Sequence, residues 1–350
     1  MRIRRSAVLA ATLVIGVVPA LGSAVIAAGN TPAGAAAAAS ERAQHRSIVA
    51  YWTPARMRTA KPRDFIVDGG GKLQPNRKPP KPPPGGGGGG VGNTIGASWP
   101  NGTGSIYAAT GKVYFEMGGG AWVCSGTALK DTRSDAYSLV LTAGHCVYDE
   151  ASGGGLNGFA TNWLFIPQFD SSPTFTCSST AFGCWTAQAL VVNKGFASAG
   201  GFNTQATHYD WGFAIVGAGG KSGTAQLDAT VPTFGHQATA MASNTVADAF
   251  GYPAAGKYHG NDLTYCQNPV GFDPFNGNST YRLACDMTGG SSGGPWLSGF
   301  DGTGNTGTIR SLNSYGYSGQ TNMYGPIFNG NTTTTYNVAN GSTTTNTIVN

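Results

Sequence analysis

The chain has 350 residues, of which 55 are glycine and 19 proline, and only 11% are charged, against ~25% in an average soluble domain. Residues 1–92 hold 13 Lys/Arg and 3 Asp/Glu, whereas residues 93–350 hold 8 and 13, so the formal charge of +5 belongs to the leading segment. The mildly acidic remainder argues against a nucleic-acid-binding domain, which would carry a basic face on its folded part, and a single long apolar stretch excludes a polytopic membrane protein.

That stretch opens the chain. Met1-Arg2-Ile3-Arg4-Arg5 is a basic start, Val8 to Val18 is an apolar run ended by Pro19, and small residues follow between Ala20 and Ala39. This is the pattern of a secretory signal, assigned to residues 1–28. The alternative is an uncleaved anchor, but Pro19 and Gly22 interrupt the helix it needs. Residues 29–78 are Ala-rich and then basic, with no sustained period of 2 or 3.6, and read as a propeptide. Lys78-Pro79-Pro80-Lys81-Pro82-Pro83-Pro84 and the glycines 85–90 follow. A stiff proline run and a flexible glycine run make residues 79–92 a linker with no core of its own. The folded domain is expected over 93–340, with 341–350 a polar tail.

Within that domain, short apolar runs alternate with Gly, Asn, Ser and Thr clusters: Lys112–Met117, Ala121–Leu129, Tyr137–Thr142, Asn162–Pro167, Ala189–Val192, Trp211–Val216 and Thr245–Tyr252. Their length and their β-branched and aromatic content predict strands, and no long amphipathic helix is expected between 93 and 340. The fold class is therefore all-β, a sandwich or barrel arrangement. All six cysteines lie here: Cys124, Cys146, Cys177, Cys184, Cys266 and Cys285. An even count in an exported chain implies disulfides, with fifteen possible pairings. The absence of a C-x-x-C pair argues against zinc. Closeness in sequence pairs Cys177 with Cys184.

Three segments carry chemistry together. Leu139-Val140-Leu141-Thr142-Ala143-Gly144-His145-Cys146 delivers a histidine from a strand onto a turn. His208-Tyr209-Asp210-Trp211-Gly212-Phe213-Ala214 sets an acid at the mouth of an apolar strand. Cys285-Asp286-Met287-Thr288-Gly289-Gly290-Ser291-Ser292-Gly293-Gly294-Pro295 holds a serine among glycines that permit a tight turn. Singly, each is ordinary: a surface histidine, a strand-end acid, a loop. Together they supply what acyl transfer requires, because a serine hydroxyl needs a neighbouring base and an imidazole base needs a carboxylate to fix its tautomer.

On Ala143-Gly144-His145-Cys146, the upstream Cys124-Ser125-Gly126 and Gly290-Ser291-Ser292-Gly293-Gly294-Pro295, the sequence resembles the chymotrypsin-fold (trypsin-like) serine peptidases. It is most similar to the secreted bacterial branch that includes the glutamyl endopeptidases. The resemblance covers roughly residues 110–325 and implies two six-stranded antiparallel β-barrels with the active site in the cleft between them. It implies Ser292 as nucleophile, His145 as general base and then acid, Asp210 as its orienting partner, and the backbone N–H groups of Gly290 and Ser292 as the oxyanion hole. The serine directly before Gly-Gly-Pro is the reactive one in the family pattern, which selects Ser292 over Ser291. The resemblance also implies a Cys124–Cys146 disulfide, leaving Cys266 with Cys285.

Position 291 is Ser where animal members carry an aspartate, so activation by a salt bridge to a freed amino terminus is not expected. Asp286 lies six residues before Ser292, the offset of the acid that recognises Arg or Lys in trypsin-like members, with a hydrogen-bonded loop brace as the alternative. Ser314, Tyr315 and Gly316 resemble the edge along which substrate backbone pairs as an added strand. That edge lacks the histidine of glutamate-specific members, so cleavage after Glu is not supported. The function implied is a secreted, monomeric endopeptidase acting on protein or peptide substrates, with no cofactor or metal. It would have no nucleic acid partner and no membrane contact once the signal is removed. The competing functions are an inactive binding module on the same fold and a cell-surface structural protein. Whether the residues before the domain inhibit it, help it fold or tether it is left open by the sequence.

Overall fold

The computed structural model describes residues 32–67, 73–75, 93–100, 104–169, 176–341 and 343–350. The expected signal peptide and the Pro/Gly linker lie outside the described residues. Six strands form a first, closed antiparallel barrel: β1 Thr110–Met117, β2 Gly120–Leu129, β3 Ser138–Thr142, β4 Thr161–Pro167, β5 Trp185–Asn193 and β6 Gly212–Val216. The order around it is β2-β1-β4-β5-β6-β3, and β3 returns to β2 through Thr127 opposite Leu141, Ala128 opposite Val140 and Leu129 opposite Leu139. Every residue of β3 and β6 is buried. That burial on both faces is why these two strands appear in the sequence as apolar runs rather than as an alternating pattern.

The second half supplies β7 Val246–Gly251, β8 Thr264–Pro269, β9 Thr280–Ala284, β10 Pro295–Ser298, β11 Thr308–Leu312 and β12 Asn322–Pro326. Ladders join β8-β7-β10-β11 and, separately, β9-β12. Side chains close the two remaining seams. Between β8 and the end of β9 run the Cys266–Cys285 disulfide and a 2.6 Å bond from Asn268 Nδ2 to the Ala284 carbonyl. Between β11 and β12, Ser311 Oγ donates to the Pro326 carbonyl at 2.8 Å. The architecture is the two-barrel one expected, and the chain also forms the Cys124–Cys146 and Cys177–Cys184 disulfides.

Four elements depart from the sequence expectations. Helix α1 (Pro32–Tyr51) and helix α2 (Pro54–Thr59) occupy the stretch in which no periodicity was expected. Alanine drives the helix without marking an apolar face. The chain divides into compact units 1–39 and 40–350; in the second, Ile48 and Trp52 are buried and the Trp52 indole donates to the Asn162 carbonyl. Helix α3 (Gly330–Asn340) lies where no long helix was expected. Its buried face is Thr332, Thr335 and Ala339, too polar to show as an amphipathic stripe. An Asn329–Thr332 capping box starts it. The closing residues are not a plain tail, because Thr347–Val349 pairs in parallel with β5.

Candidate active site

β3 ends at Thr142, whose hydroxyl donates to the Ser125 carbonyl at 2.7 Å, and the chain then tightens into a short 3-10 turn over Gly144–Cys146. The turn carries His145, which is fully buried. Asp210, also fully buried, sits just before β6, which is β3's neighbour in the ladder. Adjacent strands thus bring the two side chains together from positions 65 apart in sequence. Asp210 Oδ1 accepts from the His145 backbone N–H at 2.9 Å, and Oδ2 lies 2.8 Å from His145 Nδ1. The Ser314 hydroxyl also donates to Oδ2. Nδ1 faces an acceptor, so the neutral ring carries its proton there, leaving Nε2 as the basic nitrogen.

Ser292 lies in the turn between β9 and β10. Gly290 at φ +98° and Gly293 at φ +84° adopt a backbone that side-chain-bearing residues rarely hold. Bonds from both barrels hold this turn. Ser125 of β2 donates its N–H to the Ser292 carbonyl at 2.7 Å and its hydroxyl to the Gly290 carbonyl at 2.8 Å. Asn313 Nδ2 donates to the Ser291 carbonyl at 3.0 Å, and Asn313 Oδ1 receives the buried Trp296 indole. The Gly289 carbonyl is taken by Ala254 N–H at 2.7 Å. A trans peptide sets its N–H opposite its C=O. The Gly290 N–H therefore points away from Ala254, and the Ser292 N–H away from Asn313 and Gly294, which hold the Ser291 carbonyl.

Ser292 itself is 2% exposed. His145 Nε2 is buried with no hydrogen-bond partner among the described residues, so the expected Ser292–His145 hydrogen bond is not formed here. The imidazole is instead flanked edge-on by Phe65 and Phe202, with ring centroids at 5.3 and 5.6 Å.

The remaining sequence-predicted residues fall nearby. Tyr315 and Gly316 belong to a short strand, Tyr315–Tyr317, that pairs in parallel with Phe65–Val67. Asp286 accepts from Gly96 N–H (2.8 Å) and the Tyr258 hydroxyl on Oδ1, and from Lys257 Nζ (2.6 Å) on Oδ2. Both of its oxygens are engaged by the protein's own groups. Cys124, His145 and Cys146 cluster closely, but the two sulfurs are joined to each other and present no thiolate to a metal.

Sequence reasoning passed over several residues of this region. Ser125 reaches across from the first barrel. Asp273, fully buried, receives the hydroxyls of Tyr315 (2.6 Å) and Tyr317 (2.8 Å), and so holds the edge strand from behind. Burial first, and then Asp273, pushes both tyrosine pKa values up, keeping these hydroxyls protonated donors. Asp149 and Glu150 follow the histidine turn and face Arg63 (3.5 and 2.9 Å). Burial raises the Glu150 pKa, and Arg63 works against that rise.

No protein-family model and no curated protein matches the chain. Solved structures do. The chain is similar to the protease Anisep from Arthrobacter nicotinovorans, at 34% identity and TM-score 0.56, over 69% of this chain and 99% of that one. It is similar also to the thermostable serine protease AL20 from an extremophilic microorganism, at 33% identity and TM-score 0.55, over 68% and 100%. A Glu endopeptidase shares the fold at 20% identity and TM-score 0.51, over 70% and 96%.

Proposed function

Because this chain belongs to the chymotrypsin-fold serine peptidases, we propose that it is a secreted serine endopeptidase that cleaves protein or peptide substrates through an acyl-enzyme. Ser292 Oγ attacks the scissile carbonyl as His145 Nε2 takes its proton. Asp210 holds the imidazole in the required tautomer and stabilises the imidazolium. The N–H groups of Gly290 and Ser292 stabilise the oxyanion, each worth ~3 kcal/mol in the transition state. His145 then gives the proton to the leaving amine, and a water repeats the sequence to release the acid.

The observation that carries this reading is the buried Asp210 carboxylate, bonded at once to the backbone and ring of His145 and to Ser314. A buried carboxylate with three donors is costly to assemble without a cation to stabilise, and catalysis makes one transiently on the imidazole. Residues 1–28 are the export signal, 29–78 the propeptide and 79–92 the linker to the peptidase domain, and three disulfides suit an oxidising compartment. The engagement of Asp286 by Lys257 and Tyr258 favours a loop brace over a cation-binding acid.

The test is a fluorophosphonate probe applied to the secreted, processed protein, with Ser292→Ala as control. A covalent adduct on Ser292, absent from the control, is expected. Folded, disulfide-bonded and processed protein that gives no adduct would sink the reading.

A further inference from the structure

The cleft already holds a peptide, and it is part of the same chain. Lys61–Pro62 pairs in parallel with β2, at Trp122 and Val123, and Arg63 N–H donates to the Val123 carbonyl at 3.2 Å. Three residues on, Phe65–Val67 pairs in parallel with Tyr315–Tyr317. Between these two ladders the segment crosses the site. A Cβ built on Gly289 would meet Asp64 Oδ2 at 2.7 Å and Pro62 Cβ at 2.9 Å, so the segment rests directly on the turn that carries Ser292.

Two side chains fasten it. The Arg63 side chain is 12% exposed, and its guanidinium donates to the His145 carbonyl (2.7 Å), Glu150 (2.9 Å) and Asp149 (3.5 Å). The Phe65 ring stacks on Phe202 at 3.9 Å between centroids and stands edge-on to His145. An Arg shared by two carboxylates and an aromatic sealed in a pocket are the kinds of contact that dominate peptide binding.

Chain direction decides what this contact does. A substrate laid down for acyl transfer has the residues before its scissile bond along the Ser314–Gly316 edge. Its leaving amine must face the His145 loop, the side on which Val123 and the Cys124–Cys146 disulfide lie. Here the order is inverted: the amino-terminal part, 61–63, lies by Val123, and the carboxy-terminal part, 65–67, lies on the Tyr315 edge. Any carbonyl of this segment presented to Ser292 would expel its nitrogen towards the wrong side, where His145 cannot protonate it. We propose that Lys61–Val67 is an inhibitory strap, bound in the substrate cleft with reversed polarity, so that the chain closes its own site with a peptide it cannot cut. The proposal rests on reading Ser292, His145 and Asp210 as a peptidase site. It accounts for a nucleophile and base withdrawn from water and for the unmade hydrogen bond at Nε2. Cutting the chain anywhere between Val67 and Asn93 turns the strap into a separable ligand, whose occupancy then falls on dilution.

The test uses the full-length secreted chain, with a site for a sequence-specific protease inserted in the glycine run 85–90, in wild-type, Arg63→Ala and Phe65→Ala forms. Two quantities are read: fluorophosphonate labelling rate at Ser292, and backbone hydrogen exchange at Trp122–Val123 and Tyr315–Tyr317. Uncut wild type should label slowly at any protein concentration. Cutting followed by dilution, or either substitution, should raise the rate at least tenfold and speed exchange at both edges. Equal labelling and exchange in uncut wild type, both variants and the cut, diluted protein would overturn the strap. Exchange that quickens in the variants while no form labels would uphold the docking of the strap and overturn the peptidase reading instead.

Discussion

Asp210→Asn is the sharpest perturbation of the proposed chemistry, because the amide has nearly the shape of the carboxylate and fills the same buried slot. Two orientations are open to it. With its NH2 at the Oδ1 position it would face the His145 backbone N–H, donor against donor, in a dry site. With its NH2 at the Oδ2 position it keeps the backbone bond but donates to Nδ1, which drives the ring proton to Nε2. The second avoids the clash at the fixed backbone N–H, needs only that the Ser314 hydroxyl turn to accept, and makes the proposed base a donor. The loss has a second component. At the observed 2.8 Å separation, an imidazolium and a carboxylate attract by roughly 6 kcal/mol at an effective dielectric of ~20. At about 1.4 kcal/mol per tenfold, that corresponds to a drop of about four powers of ten. The assay is kcat/KM for peptide cleavage by wild type and variant processed alike, with folding checked by circular dichroism. A folded Asp210→Asn protein that loses less than tenfold would refute the role assigned to this carboxylate.

Three further outcomes are expected. Lys112 is buried beside the Phe169 ring, with Nζ on the Gly260 carbonyl, and burial pulls its pKa from 10.5 to about 7. The unfolded chain then holds the extra proton between pH 7 and 10.5, so this lysine costs most below pH 7, up to about 5 kcal/mol, and less as pH rises. Lys112→Met should raise the unfolding free energy at pH 6, with the gain narrowing by roughly 3 kcal/mol at pH 9 by denaturant titration; an equal gain at both values would show that the charge is not what burial opposes. Ser125→Ala strips the Gly290 carbonyl and the Tyr252 N–H of a buried partner, at a cost of about 1–3 kcal/mol. Its kcat should fall about tenfold or more while KM holds, and a change confined to KM would contradict it. Gly294→Ala would set a methyl 2.0 Å from the Phe250 carbonyl. Secretion of soluble protein should fail, and an active, secreted variant would mean the turn is packed otherwise.

The first-barrel strands and β7 were legible because runs of apolar or β-branched residues between turn formers leave a clear mark, as at Ser138–Thr142 and Gly212–Val216, whereas β8 to β12, from Thr264 onward, were not individually read. His145, Asp210 and Ser292 stood out in the sequence because each lies in a distinctive local setting, and the His145–Asp210 contact forms. What could not be read is what depends on partners far away in sequence. Ser125 meets Gly290 across 165 positions and Ser314 meets Asp210 across 104, and nothing local to any of them announces it. The strap is two or three residues paired at each end, too short for any period. Helix α3 turns Thr332 and Thr335 inward, so its buried face carries the residues usually counted as polar.

Ser125 is also one of the points at which the two halves of the molecule are joined mechanically. A strand of the barrel that carries His145 and Asp210 grips the turn that carries Ser292 by both N–H and hydroxyl, while Asn313 grips it from the other side. The Ser292 turn is thus held against the His145 and Asp210 barrel by a handful of buried atoms rather than by the surrounding surface. Such an arrangement would let surface loops vary without disturbing the residues of the proposed triad.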